Sequence, residues 1–259
     1  MRIQWLGTAG FRIEFGGTIF LVDPYLTRNK EAFPCQDLTP EDFAGVSHIF
    51  ISHGHFDHIK DVPGIARVTG AIVYCCPVVA KTLVSMGIDP GQIQMIEKDG
   101  QKIGLEKIQA RAFYSGHVRF DLKLLTTTLV KIHLRLPGIV PLFTGFPRGR
   151  VLSWQFRVGG RVIHFFGSAG SSIRELKMLG QKPIDILLLP LQGHSRICEI
   201  AVRYVELLSP KLVIPHHWDD FFPPVSKTVD ISPFVEWVEH SCPMTRVQVL
   251  DLNQALSLE

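Results

Sequence analysis

The first 22 residues alternate. Ile3 and Trp5, then Phe11, Ile13 and Phe15, then Ile19 and Leu21 recur at every second position, with Gly7, Gly10, Gly16 and Gly17 between the runs. A period of two puts these side chains on one face of an extended chain, so the pattern predicts a run of short antiparallel strands ended by Asp23-Pro24. Residues 46–52 and 71–75 are instead nearly continuous apolar runs, the signature of strands buried on both faces.

Further along, the periods mix. Pro77 opens a helix over about 78–86, stopped by Gly87. Strands are predicted near 93–97, 101–104 and 107–113. Residues 152–158 and 161–166 flank Gly159-Gly160, a hairpin signal. Ser171-Ser172 caps a helix to about Gly180, and 184–189 is another buried strand. Ile197, Ile200, Ala201, Tyr204, Val205 and Leu208 are spaced for a helix over 197–208. A strand at 211–214, a helix at 233–240 containing Trp237 and a strand at 246–250 complete the pattern.

Strands, strand–helix units, strands and strand–helix units again predict one α/β (α+β) domain over 1–259, with two sheets inside and helices outside. Residues 122–150 stand apart as an apolar insertion, with Lys123, Lys131, His133 and Arg135 interleaved and Pro137, Pro141 and Pro147 near its end. It reads either as a hairpin packed on the core or a homo-oligomer contact, or as a lid for a lipid-like substrate.

Composition changes this picture little, except at one residue type. A net charge of +3 in 259 residues gives no footprint for nucleic acid. No uncharged apolar run approaches the ~18 residues of a membrane span. Met1–Leu6 reads as a strand rather than a signal peptide. Five cysteines, an odd number in a long chain, point to a reducing, cytoplasmic compartment. Histidine is the exception: there are eleven, and imidazole is the commonest metal ligand.

Four metal-capable side chains fall within Ser52-His53-Gly54-His55-Phe56-Asp57-His58, directly after a buried strand. In an extended loop His53 and His55 point the same way and can share one metal. Asp57 and His58, beyond a turn, can face a second. Imidazole with carboxylate suits Zn2+, with Mn2+ or Fe as alternatives. A solvated loop explains one such histidine, but not four together.

This H-x-H-x-D-H motif resembles the metallo-β-lactamase superfamily, a four-layer αβ/βα sandwich with metals at one edge. Tyr114-Ser115-Gly116-His117, Pro215-His216-His217-Trp218, Gly7-Thr8-Ala9-Gly10 and Phe20-Leu21-Val22-Asp23-Pro24 match its further motifs. The set is most similar to the branch that holds the L-ascorbate 6-phosphate lactonase and the N-acyl-phosphatidylethanolamine phospholipase D. The resemblance implies that His53, His55 and His117 bind one metal, that Asp57, His58 and His217 bind a second, and that Asp23 orients ligands, unless Asp23 is only a turn residue before Pro24. It implies a hydrolase whose metal-activated hydroxide attacks an ester, lactone, amide or phosphodiester of a small or amphipathic substrate. Asp57 would orient the water.

The pattern breaks at Phe166-Gly167-Ser168-Ala169-Gly170, where the family carries G-D-T-G with a bridging aspartate. Ser168 stands in the aspartate position. The second metal is then weakened or held differently, or the protein binds a ligand without turnover. His194 leaves a buried strand and is a candidate proton donor, substrate contact or substitute ligand, against a plain role in capping the next helix. His216 should point away from its neighbour His217. His164 reads as packing, and His48, His133 and His240 as structural or exposed. An iron oxidoreductase and a nuclease are weaker alternatives on the same fold.

Overall fold

The computed structural model describes residues 1–124, 126 and 144–259. The N-terminal alternation becomes β1 (Arg2–Gly7), β2 (Gly10–Phe15) and β3 (Thr18–Val22), joined antiparallel. Then follow β4 (Val46–Phe50), α1 (Phe56–Ile59), α2 (Val62–Thr69), β5 (Ile72–Cys75), α3 (Pro77–Ser85) and β6 (Ile93–Met95). The chain continues through β7 (Lys102–Gly104), β8 (Ile108–Tyr114), β9 (Leu152–Val158), β10 (Arg161–Phe166) and α4 (Ile173–Leu179). It ends with β11 (Ile186–Pro190), α5 (Ile197–Leu208), β12 (Leu212–His216), α6 (Ser232–Ser241), β13 (Arg246–Val247) and β14 (Ala255–Ser257).

Two seven-stranded sheets form, ordered β14-β1-β2-β3-β4-β5-β6 and β13-β12-β11-β10-β9-β8-β7. Each is antiparallel in one half and parallel in the other: β3 to β6 and β10 to β13 run parallel. The parallel strands β11 and β12 are buried along their whole length, as expected of strands covered on both faces.

The main core lies between the sheets, with Trp5, Phe11 and Phe20 meeting Trp154, Phe156 and Phe165. Helices α2 and α3 cover the outer face of the first sheet through Val62, Ile65, Val79 and Leu83. Leu187 and Leu189, alternating with inward Ile186 and Leu188, pack with α4, α5 and α6 on the outer face of the second. The result is a four-layer sandwich.

Three elements differ from the sequence pattern. Residues 62–69, for which the sequence pattern predicts no element, are helical, with Pro63 in the first turn and Gly70 as a left-handed cap. Ala255–Ser257 returns to pair with β1. The strand expected over 246–250 is a two-residue pairing. Of the insertion at 122–150, the centre and His133 lie outside the described residues. No helix among the described residues is long and apolar enough to cross a membrane.

Candidate metal centre

The predicted site residues leave the carboxyl ends of the parallel strands and of β8, two strands from β10 in the second sheet. Ligand sites of open α/β sheets collect at such ends, because the following loops diverge there. Asp23 follows β3, His53 to His58 follow β4, His117 follows β8, Ser168 follows β10 and His217 follows β12. The β4 loop is stitched to the second sheet, since Leu152 N donates to Ser52 O at 2.8 Å and Trp154 Nε1 to Ile51 O at 3.1 Å. The site therefore spans both sheets.

Among the described residues, three overlapping groups could each hold a metal ion, with ligand atoms within 4.8 Å of one another: His53–His55–His117, Asp23–His53–His58 and Asp57–His58–His217. His53 Nε2 faces His55 Nδ1 at 3.1 Å. His117 Nδ1 donates to Val118 O at 2.7 Å, which leaves its Nε2 free as a ligand. Asp57 Oδ2 lies 3.3 Å from His217 Nε2 and 3.7 Å from His58 Nε2.

A buried carboxylate orders part of this cluster. Asp23 accepts the Ser52 amide at 2.7 Å, contacts Ser52 Oγ and sits 2.7 Å from His58 Nδ1. Ser52 Oγ in turn lies 2.9 Å from His53 Nδ1. When the hydroxyl donates to Asp23, His53 Nδ1–H donates to the hydroxyl and presents Nε2 as a lone pair. Such outer partners fix tautomer and ring orientation. The approach is tight: a β-carbon on Gly167 would sit 2.0 Å from Ser52 Oγ. Ser52 was not singled out from the sequence, where a serine before the motif carries no signal of its own.

The electrostatics suit a cation. Burial, reinforced by neighbouring histidines, holds His53 well below the usual histidine range. Burial likewise pushes His55 and His117 down to about 4. These lowered values leave all three rings neutral at pH 7, with nitrogen lone pairs available to a cation. Burial raises Asp57, but His58 and His217 beside it outweigh burial and hold it ionised below its ordinary value. Burial lowers His58, and Asp23 and Asp57 more than reverse this. Lone pairs facing each other across 3.1 Å repel unless a proton or cation lies between them. The buried Nδ1 of His217 has no protein partner. The donor set fits a nitrogen- and oxygen-preferring divalent metal.

Above the cluster opens a cavity of about 320 Å³. His53, His55, Asp57, His58, His117 and His217 line it together with Phe56, Val118, Phe120, Leu124, Phe221 and Val225. Lys227 is the one Lys or Arg among the described residues that line it.

A family model for the beta-lactamase superfamily domain matches residues 2–217. The chain belongs to this superfamily. It is 31% identical over 226 residues to a UPF0173 metal-dependent hydrolase of Cupriavidus taiwanensis, covering 84% of this chain and 74% of that protein. Among solved structures it is similar to Igni18, a metallo hydrolase of Ignicoccus hospitalis, with TM-score 0.73, 21% identity and 100% and 98% of the two chains covered. It is also similar to CmlA, a diiron beta-hydroxylase of Streptomyces venezuelae, with TM-score 0.67, 16% identity, 99% of this chain and 54% of that one. At those identities the two structures establish the shared sandwich alone.

Within this superfamily site, Ser168 lines the cavity, and its Oγ accepts the Val118 amide at 3.0 Å. The hydroxyl thus fastens the His117 loop to the end of β10. His194 is not brought in: it does not line the cavity, and its Nδ1 accepts the Arg196 amide at 3.0 Å. Its placement is that of a turn residue before α5. His216 turns into the inter-sheet core, stacked on Phe165 at 5.3 Å, while His217 faces the cavity. His164 packs between Phe113 and Phe166 on the other face.

Proposed function

We propose that this chain is a metal-dependent hydrolase. His53, His55 and His117 hold one divalent cation; Asp57, His58 and His217 hold a second, weaker one. Zn2+ is the first candidate and Mn2+ or Fe the alternatives. The observation that carries this reading is the convergence of the two triads at the floor of one cavity. A bound divalent metal supplies Lewis acidity and a water that ionises near neutral pH.

The protein's own groups do the rest. Asp57, ionised and beside His217, orients a proton-bearing group at the floor. Phe56, Val118, Phe120 and Phe221 exclude water and accept an apolar part of the substrate. Lys227 offers a cation to an anionic part. The substrate class supported is an ester, lactone, amide or phosphodiester of a small or amphipathic molecule. His194, engaged by the Arg196 amide, stays outside this chemistry. Free thiols at Cys35, Cys75, Cys76, Cys198 and Cys242 support a cytoplasmic setting.

The test is a screen of lactone, phosphodiester and phospholipid substrates with zinc, manganese and iron added separately. Metal-stimulated turnover that His55→Ala abolishes supports the reading; metal-independent turnover, or turnover indifferent to His55→Ala, contradicts it. Ser168 favours a second reading, ligand binding without turnover. It predicts that the same molecules bind and are recovered intact.

A further inference from the structure

His217 has a backbone φ of 58°, a region that a β-carbon disfavours and that surrounding structure must hold in place. Its N–H donates to Thr8 O at 2.8 Å. Thr8 is itself left-handed, with φ 51°, and its N–H donates to both carboxylate oxygens of Asp219 at 3.1 Å. Asp219 Oδ2 lies 2.5 Å from Arg28 Nη2, and both side chains are buried. Arg28 also donates from Nη2 to Thr8 Oγ1 at 3.2 Å and from Nη1 to Pro34 O at 3.0 Å. A β-carbon on Gly7 would fall 1.8 Å from Arg28 Nη2, so the guanidinium fills a space that only glycine leaves. Trp5 Nε1 donates to the same Thr8 carbonyl at 3.0 Å, and its ring stacks on Trp218.

Arg28, Asp219 and Thr8 do not line the cavity. Their bonds converge instead on the backbone of His217. A buried ion pair is poor evidence of stabilisation for its own sake, because desolvation offsets much of the attraction; here it fixes geometry through the further bonds of Arg28 Nη1 and Nη2 to Pro34 and Thr8, while Arg28 Nε has no partner.

We propose that Arg28 and Asp219 are positioning residues that act through Thr8 to clamp His217 in its left-handed conformation, so that its imidazole reaches Asp57. The consequence for metal binding rests on the reading of His217 as a ligand; the clamp itself does not.

The test uses Asp219→Asn, Arg28→Ala and Arg28→Lys in the full chain, with two readouts. In metal-free protein, hydrogen exchange of the His217 amide should accelerate at least tenfold in Asp219→Asn, while the core amide of Leu188 is unchanged. In zinc titrations, that variant should lose the weaker site and keep the one formed by His53, His55 and His117. Arg28→Lys, which keeps the charge, should restore protection and zinc binding partly relative to Arg28→Ala, and it carries the test if Asp219→Asn does not fold. Wild-type exchange at His217 in the folded variants overturns the clamp. If the wild-type protein takes up no zinc, the ligand reading fails while exchange still decides the clamp.

Discussion

His58 Nδ1 lies 2.7 Å from Asp23 Oδ2, which leaves its Nε2 on the side of Asp57, 3.7 Å from Oδ2. One buried carboxylate thus sets the direction of a ring that a second carboxylate shares. Asp23→Ala should weaken metal binding by about 10–100-fold, the usual cost of removing an outer partner of a ligating histidine. Zinc titration against a competing chelator checks this; unchanged affinity would reduce Asp23 to a turn residue.

Ser168 donates nothing to charge balance, yet its hydroxyl holds the Val118 amide. Ser168→Asp adds a carboxylate at the cavity edge, and the weaker site should tighten about tenfold, or ~1.4 kcal/mol. Isothermal titration of chelator-treated protein reads this directly. A weaker site in the variant would mean that the Val118 bond matters more than the added charge.

Gly167 leaves room for the Ser52–Asp23 pair. A β-carbon there would lie 2.0 Å from Ser52 Oγ and 2.9 Å from Asp23 Oδ2. Gly167→Ala should cost about 1–3 kcal/mol in unfolding free energy, as overpacking does, and lower metal affinity with it. Denaturant unfolding of the metal-free variant separates the two effects.

Acid should destabilise the metal-free protein. Burial lowers His48, His53, His55, His117, His164 and His216 in the folded state. The unfolded chain therefore binds these protons first, and stability is lost as pH falls from about 6.5. For His55 and His117 the loss continues to about 4. His58 works the opposite way: its raised value contributes stability below about 6.5 that disappears as pH rises through its folded value. The six lowered groups outweigh it, so melting temperature should fall steadily from pH 7 to pH 4. A flat profile across that range would contradict the burial of neutral imidazoles.

Much of the fold could be read from the chain because each sheet's halves carry different patterns. The alternating residues of β1 to β3 and the continuous apolar runs of β4, β5 and β11 each have one natural placement. The helix Val62–Thr69 leaves little trace in the sequence because its buried face is Val62, Ile65 and Ala66 alone. Strand β14 was hidden because three residues, Ala255–Ser257, carry too little periodicity to register.

At the site, His53, His55, Asp57 and His58 could be chosen from their types and spacing, and His117 and His217 from the resemblance to the superfamily's further motifs. What supports them could not. Ser52, Thr8, Arg28 and Asp219 act through hydrogen bonds spanning 20 to 211 residues, and no local pattern encodes such a pairing. His194 had the complementary problem: the end of a buried strand is a good position, but the Arg196 amide claims its Nδ1.

The central claim is that the two triads bind metal for hydrolysis. Metal analysis of the chain purified without chelators, alongside His55→Ala and His217→Ala, tests it most directly. The account predicts a transition metal bound in the wild type at up to two per chain, reduced in each variant, with hydrolysis falling alongside it. A wild-type protein that carries no transition metal and takes none up from excess zinc, manganese or iron would contradict it.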